Sequence, residues 1–140
     1  MGLLETFRTY LNEPFAETLQ KDFEAAQAAL GGDLQGVPSL QAALGAISAE
    51  SGHPAFPKKS GLFLSAVHRL LKKDEALDLS VLGETLMDCV GAFGKGFDLT
   101  VKGNAGGFAG AFLESGALTL DGDAGDYAGA HMKGGLLHIK

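Results

Sequence analysis

Several features that define other protein classes are scarce in this sequence of 140 residues. It has four prolines and no Gly-X-Y period, which excludes a collagen-like fibre. Its one cysteine, Cys89, has no second cysteine to pair with, so the chain forms no internal disulfide, and a reducing compartment is favoured. No run of about 18 apolar residues is present, so the sequence predicts no membrane span.

The overall composition is that of a globular protein, with 46% hydrophobic and 20% charged residues. The net charge of −6 argues against sequence-independent binding to nucleic acid, because such binding needs a basic surface. The first five residues lack a basic region followed by an apolar run, which is the pattern of a secretory signal. We therefore expect a cytoplasmic protein that binds neither nucleic acid nor membranes.

Glycine is distributed unevenly and divides the chain into two parts. Thirteen of the 21 glycines lie in residues 91–140. Residues 1–90 are predicted to form a helical cap or interaction region, because apolar residues recur there at spacings of three and four. The pattern predicts helices at about residues 3–11, 13–30, 38–47, 60–73 and 78–89.

Residues 103–121 and 122–140 are two copies of a 19-residue repeat. The copies read GNAGGFAGAFLESGALTLD and GDAGDYAGAHMKGGLLHIK, are identical at eight positions, and follow a partial copy at 91–102. A period near 20 is typical of repeats that stack on one another. Each copy contains one strand with alternating apolar residues, at 98–102, 117–121 and 136–140. The sequence therefore predicts an α+β fold in which residues 91–140 form a short parallel β-helix.

The repeat also predicts how the copies pack. Leu99, Leu118 and Leu137 should form one inward ladder and Val101, Leu120 and Ile139 the next, with Thr100, Thr119 and His138 pointing outward. Phe108 should stack on Tyr127, and Phe112 on His131. Glycine suits corners with positive φ and close approach of neighbouring copies. The glycines assigned to these roles are Gly103, Gly106, Gly110, Gly122, Gly125 and Gly129.

The segment GDAGDYAGAHMKGG at 122–135, with GNAGGFAGAF at 103–112, resembles a known glycine-repeat β-helix family. That family includes one of the subunits of formylmethanofuran dehydrogenase and the C-terminal domain of the glutamate synthase large subunit. The resemblance covers about residues 90–140. It implies a mainly structural domain that packs against catalytic subunits or domains, and it supplies no catalytic residues.

The other residues that could form a functional site fit structural roles better. Asn104, Asp121, Asp123 and Asp126 do not match the spacing of a calcium loop and fit turn roles better. The four histidines form no metal motif, and nothing in the sequence supplies a base for Cys89, which favours a packed thiol. The basic residues of the segment 58–73 could meet an anionic surface or a partner helix, but a core helix with solvated ends is favoured. We predict no catalytic, cofactor-binding or metal-binding residues.

These observations favour a non-catalytic structural or assembly protein. So few repeats need a cap or a partner, because about three are normally required to bury a continuous core. The helical region should cap one end over Phe93 and Phe97, which leaves Leu136, His138 and Ile139 as a possible interaction edge for self-association or a larger complex. The alternatives are an accessory subunit of a one-carbon or glutamate-synthase-like enzyme complex, and a small-ligand module near Cys89 and Phe93.

Overall fold

The computed structural model describes residues 2–32 and 36–140. In these residues four α-helices precede four short strands that form one sheet. No helix there combines the length and the apolar character needed to cross a membrane. The helices are α1 (Leu3–Leu11), α2 (Leu19–Leu30), α3 (Leu40–Ile47) and α4 (Phe56–Leu71). The strands are β1 (Glu75–Asp78), β2 (Leu99–Lys102), β3 (Ala117–Asp121) and β4 (Leu136–Ile139).

Side-chain caps explain where the helices begin. Helix α3 follows Ser39, whose hydroxyl accepts a hydrogen bond from the Ala42 amide. Helix α2 begins six residues later than predicted, because Thr18 caps it by accepting a hydrogen bond from the Lys21 amide. Helix α4 begins earlier than predicted, with Pro57 in its first turn, where a missing amide hydrogen costs nothing.

The predicted helix at 78–89 is wrong. Residues Glu75–Asp78 form strand β1, and the Asp78 carboxylate accepts from the Ser80 amide to begin a single 3₁₀ turn at Leu79–Leu82. Gly83 ends this turn with a φ of 60°. Asp78 therefore does act as a cap, but the element that it caps is too short to become an α-helix.

The four strands are all parallel and lie in the order β1-β2-β3-β4. Leu99 pairs with Leu118, and Leu118 with Leu137, as the 19-residue spacing predicts. Leu99 and Leu118 are buried, whereas Thr100 on the opposite face is exposed. The inward and outward faces of β2 and β3 therefore follow the predicted alternation.

The predicted parallel β-helix is wrong. The strands form one open four-stranded sheet that does not close, and the glycine-rich segments between them consist of turns. The cause lies in the backbone at alternate positions, since Phe108, Gly110 and Phe112 all have positive φ, between 56° and 69°. A strand cannot continue through left-handed residues, so these segments turn repeatedly.

Successive repeats nevertheless pack directly on each other. Rings stack in two columns, with centroids 4.9 Å apart for Phe93 and Phe112, 5.0 Å for Phe112 and His131, and 5.1 Å for Phe108 and Tyr127. The two stacks predicted from the sequence, Phe108 on Tyr127 and Phe112 on His131, are therefore confirmed. Their spacing is close to that of adjacent strands, so the strand register sets the position of the rings.

Short polar side chains add a second connection between repeats. Asp88, Asp98 and Asn104 each accept a backbone amide hydrogen one full period, 19 residues, further along. For Asn104 the sequence predicts a bond to its own turn. The side chain instead satisfies a backbone donor of the next repeat, because each turn lies directly against its copy.

Helix α4 is the central element of the helical region. Its residues from Lys59 to His68 are all buried, and it packs against α2, α3 and α1. At Gly61 the helix lies against the backbone that leads into the first repeat, and a Cβ there would come within 1.8 Å of the Asp88 carbonyl oxygen. Only glycine permits this approach.

We expect Leu118→Asp to unfold the protein or to cost several kcal/mol, because it buries an unpaired carboxylate between two neighbouring strands. Thr119→Asp, one residue later on the outward face, should cost about 1 kcal/mol or less. Thermal melts followed by circular dichroism measure both variants. The opposite ranking would show that the inward and outward faces are assigned wrongly.

Gly61→Ala should destabilise the protein by about 2 kcal/mol or more, because the methyl group would collide with backbone that cannot move freely. Gly45→Ala is the matched control on the exposed face of α3, where a Cβ meets nothing within 4 Å. That change should stabilise the helix by about 0.5–1 kcal/mol. Urea denaturation gives both values, and equal effects at the two positions would contradict the close contact of α4.

Candidate interaction surface

Much of the exposed apolar surface of the described residues lies on residues 122–140, the second copy of the repeat. Six large apolar side chains are exposed among the described residues, and three of them lie between 127 and 139. Tyr127 is 68% exposed, Leu136 62% and Ile139 40%. With His138, which is also exposed, these residues define the end surface. The equivalent positions of the preceding repeats lie under the next copy.

Strand β4 is an unpaired edge within the described sheet. The amides of Leu136 and Lys140 donate to Gly116 and Leu120, so these alternate residues face β3. In a parallel ladder the intervening residues point their amide and carbonyl groups the other way. Leu137 and Ile139 therefore present unpaired backbone groups at the edge.

The opposite edge of the sheet is partly covered. Helix α3 lies beside β1, and the Gln41 side chain both accepts from the Asp78 amide, at 2.6 Å, and donates to the Asp78 carbonyl, at 3.1 Å. The Leu40 amide donates to the Glu75 carboxylate. A side-chain amide thus replaces the neighbouring strand, which is one way to protect a sheet edge.

The column of rings formed by Phe93, Phe112 and His131 is also covered at one end and exposed at the other. Phe23 of α2 covers Phe93 at a centroid distance of 4.6 Å, and the Arg69 guanidinium lies 4.8 Å from the Phe23 ring. The helical region therefore caps Phe93, as predicted. The other end of the column is His131, which is exposed.

Cys89 lies at the junction of the helical region and the first repeat, and its thiol is buried. Burial, and next the Asp88 carboxylate, raise the pKa of this thiol to about 12. A thiol that stays protonated at neutral pH is a poor nucleophile. Cys89 is therefore a packing residue, and its φ of 61° places it at the turn position that Phe108 and Tyr127 occupy in later repeats.

Two openings near this junction test the small-ligand alternative. A cavity between α4 and the sheet, next to Val90 and Gly91, has a volume of about 20 Å³, which is room for a single water molecule. A groove of about 290 Å³ lies beside Cys89 and is lined by both Lys58 and Asp88. The cavity is too small for a ligand, whereas the groove is close to the roughly 300 Å³ at which ligand sites begin, so the small-ligand alternative stays a prediction.

The buried charges of the helical region connect helices to one another. The Lys59 ammonium donates to the carbonyls of Tyr10 and Glu13, at 2.8 and 2.7 Å, and so closes the C-terminal end of α1. Burial lowers the pKa of Lys59, although Asp22 and Glu13 oppose this shift. Asp22 is buried on α2 and has Lys58 at 3.8 Å, but neither of its carboxylate oxygens accepts a hydrogen bond from the described residues.

Some of the polar residues considered for ligand binding lie close together, since Asn104 accepts from the Asp123 amide at 2.9 Å. Among residues 2–32 and 36–140, no group of three or more His, Cys, Asp or Glu side chains is placed to hold a metal ion. Of the glycines assigned to the repeat, Gly110 and Gly129 have φ near 70°, and Gly106 allows the Asp88 carboxylate to approach. Their roles are structural.

The end surface contains the three edge residues named from the sequence, Leu136, His138 and Ile139. Sequence reasoning missed Tyr127 as part of this surface and Gln41 as the cover of the other edge. The repeat itself carried a signal for Tyr127, because it aligns this residue with Phe108, on which it stacks. No sequence pattern indicates that Gln41 reaches β1.

We expect the folded protein to lose stability as the pH rises from 9 towards 12. An unfolded Cys89 thiol ionises near 9.0, whereas the folded one ionises near 12, so only the unfolded state loses its proton in this interval. The slope should reach about 1.4 kcal/mol per pH unit for this group. Cys89→Ala should reduce the slope of urea-derived stability against pH by this amount, and Tyr10, whose pKa burial also raises, accounts for part of the slope that stays. An unchanged slope would contradict the assignment.

Comparison with known proteins gives no match for this chain, whether with family models, with curated proteins or with solved structures.

Proposed function

We propose that this chain is an assembly protein. A strand of another protein chain pairs with the free edge of β4. The single observation that carries the proposal is the unpaired edge of β4 together with exposed apolar side chains on the same repeat. Strand addition supplies directional backbone hydrogen bonds, and the side chains that flank the edge supply apolar contact.

The sequence of β4 supports this use of the edge. Proteins usually protect exposed edges with charged residues or proline. The strand Leu136–Ile139 reads LLHI and contains neither, whereas β1 at the protected end begins with Glu75 and ends with Asp78. The edge is apolar over these four residues, with the charged Lys140 directly after them, and an apolar edge suits pairing with a partner.

The resemblance of about residues 90–140 to the glycine-repeat family gives an alternative form of this proposal. It would make the partner a catalytic subunit of a one-carbon or glutamate-synthase-like complex. The present chain would then position that subunit and would need no active site of its own.

Photo-crosslinking from within the end surface tests the proposal. We would replace Tyr127 by p-benzoylphenylalanine, which keeps an aromatic ring at this exposed position, and irradiate cells of the native host. The matched control carries the same residue at Phe15, an aromatic position that is 54% exposed in the helical region. We expect one discrete adduct from position 127 and none from position 15.

Absence of an adduct at 127, or the same set of adducts from both positions, would contradict strand addition at β4. The mass of a discrete adduct also identifies the kind of partner. An adduct with a larger protein would support the complex that the resemblance implies.

A further inference from the structure

We propose that the partner at β4 is a second copy of this chain, paired antiparallel about a two-fold axis at His138. This inference rests on the proposed function, because it names the occupant of the same edge. The result is a closed dimer with one continuous eight-stranded sheet. Three properties of the structure lead to it, namely the two unlike edges, the charge of the last repeat and the direction of the free backbone groups.

The unlike edges decide how two copies can meet. Head-to-tail addition would place β4 of one copy against β1 of the next, and this would form an open chain of molecules. Gln41 already bonds to the backbone groups of Asp78 on β1, so a strand could pair there only by displacing this side chain. Pairing of β4 with β4 needs no such displacement among the described residues and closes the assembly.

The charge of the last repeat permits two copies to approach. Residues 122–140 carry two acidic and two basic side chains and are neutral overall, although the whole chain has a net charge of −6. The basic group of Lys133 lies in the turn before β4, whereas Asp123 and Asp126 lie in the turn after β3. Antiparallel pairing brings the start of one β4 beside the end of the other, and therefore sets Lys133 of each copy towards the acidic turn of the other.

The backbone fixes the register of the pair. Leu137 and Ile139 carry the outward-directed amide and carbonyl groups, so these two residues must form the hydrogen-bonded pairs. Placing Leu137 opposite Ile139 of the other copy satisfies both residues and keeps apolar side chains on the inward face. A register centred on Leu137 would instead require Gly135 to pair, but its φ of 75° is incompatible with a strand.

In this register the two copies of His138 lie directly opposite each other at a non-hydrogen-bonded position. Such residues have Cα atoms about 4.5 Å apart, which lies within the range that a disulfide spans. A cysteine at position 138 should therefore link the two chains, whereas cysteines far from the edge cannot.

The experiment uses His138→Cys in the full chain, with Thr100→Cys as the matched control. Thr100 occupies the same outward position on β2, two strands from the edge. After mild oxidation, a non-reducing gel should show a disulfide-linked dimer of His138→Cys at least tenfold in excess of that of Thr100→Cys. The wild-type chain, whose Cys89 is buried, should give none. Light scattering of the wild-type protein should give twice the mass of 14.4 kDa.

A wild-type protein that stays monomeric at about 100 µM, or equal crosslinking of the two cysteine variants, would overturn the dimer. A dimer that forms without crosslinking at 138 would overturn the register and with it the proposed two-fold axis. These outcomes are separate from the photo-crosslinking result. A discrete adduct between Tyr127 and a different protein, found with a monomeric chain, would keep the assembly function and reject the second copy.

Discussion

The contact between helix α4 and the start of the first repeat is the interaction on which the rest of the structure depends. Gly61 allows the helix to touch the backbone at Asp88, and the Asp88 amide donates to the Pro57 carbonyl at 2.6 Å. Further along the same helix, Arg69 donates to the Phe93 carbonyl and pairs with Glu114 at 2.6 Å. Strands of four or five residues are marginal alone, so this contact supplies the rigid start on which later repeats stack.

The same contact makes the two ends of the sheet different. Near α4 the first strand and the first ring are covered, by Gln41 and by Phe23. Each later repeat is covered by its successor, and burial therefore falls towards the last copy. Leu118 is 1% exposed, whereas Ile139 on the same inward face is 40% exposed.

Stacking also explains why several bulky residues occupy the left-handed region. Phe108, Phe112, Tyr127 and His131 all have positive φ, which costs about 1 kcal/mol or more for residues other than glycine. Ring contacts and backbone bonds to the neighbouring repeat offset that cost. Among the described residues, Tyr127 and His131 each stack on one ring, that of the preceding repeat.

The sequence by itself determined the strand register, the inward and outward faces of β2 and β3, and the ring stacks. A repeat predicts these features because equivalent residues of stacked copies must lie beside one another. Only the tertiary structure decided that the sheet stays open, because the left-handed conformation of Phe108 and Phe112 depends on contacts with neighbouring repeats. Strand β1 lies outside the repeat and joins the sheet through packing against α3, and Gln41 covers it over a separation of 37 residues. Such distant contacts leave no periodic signal, since they arise only when the helices have packed.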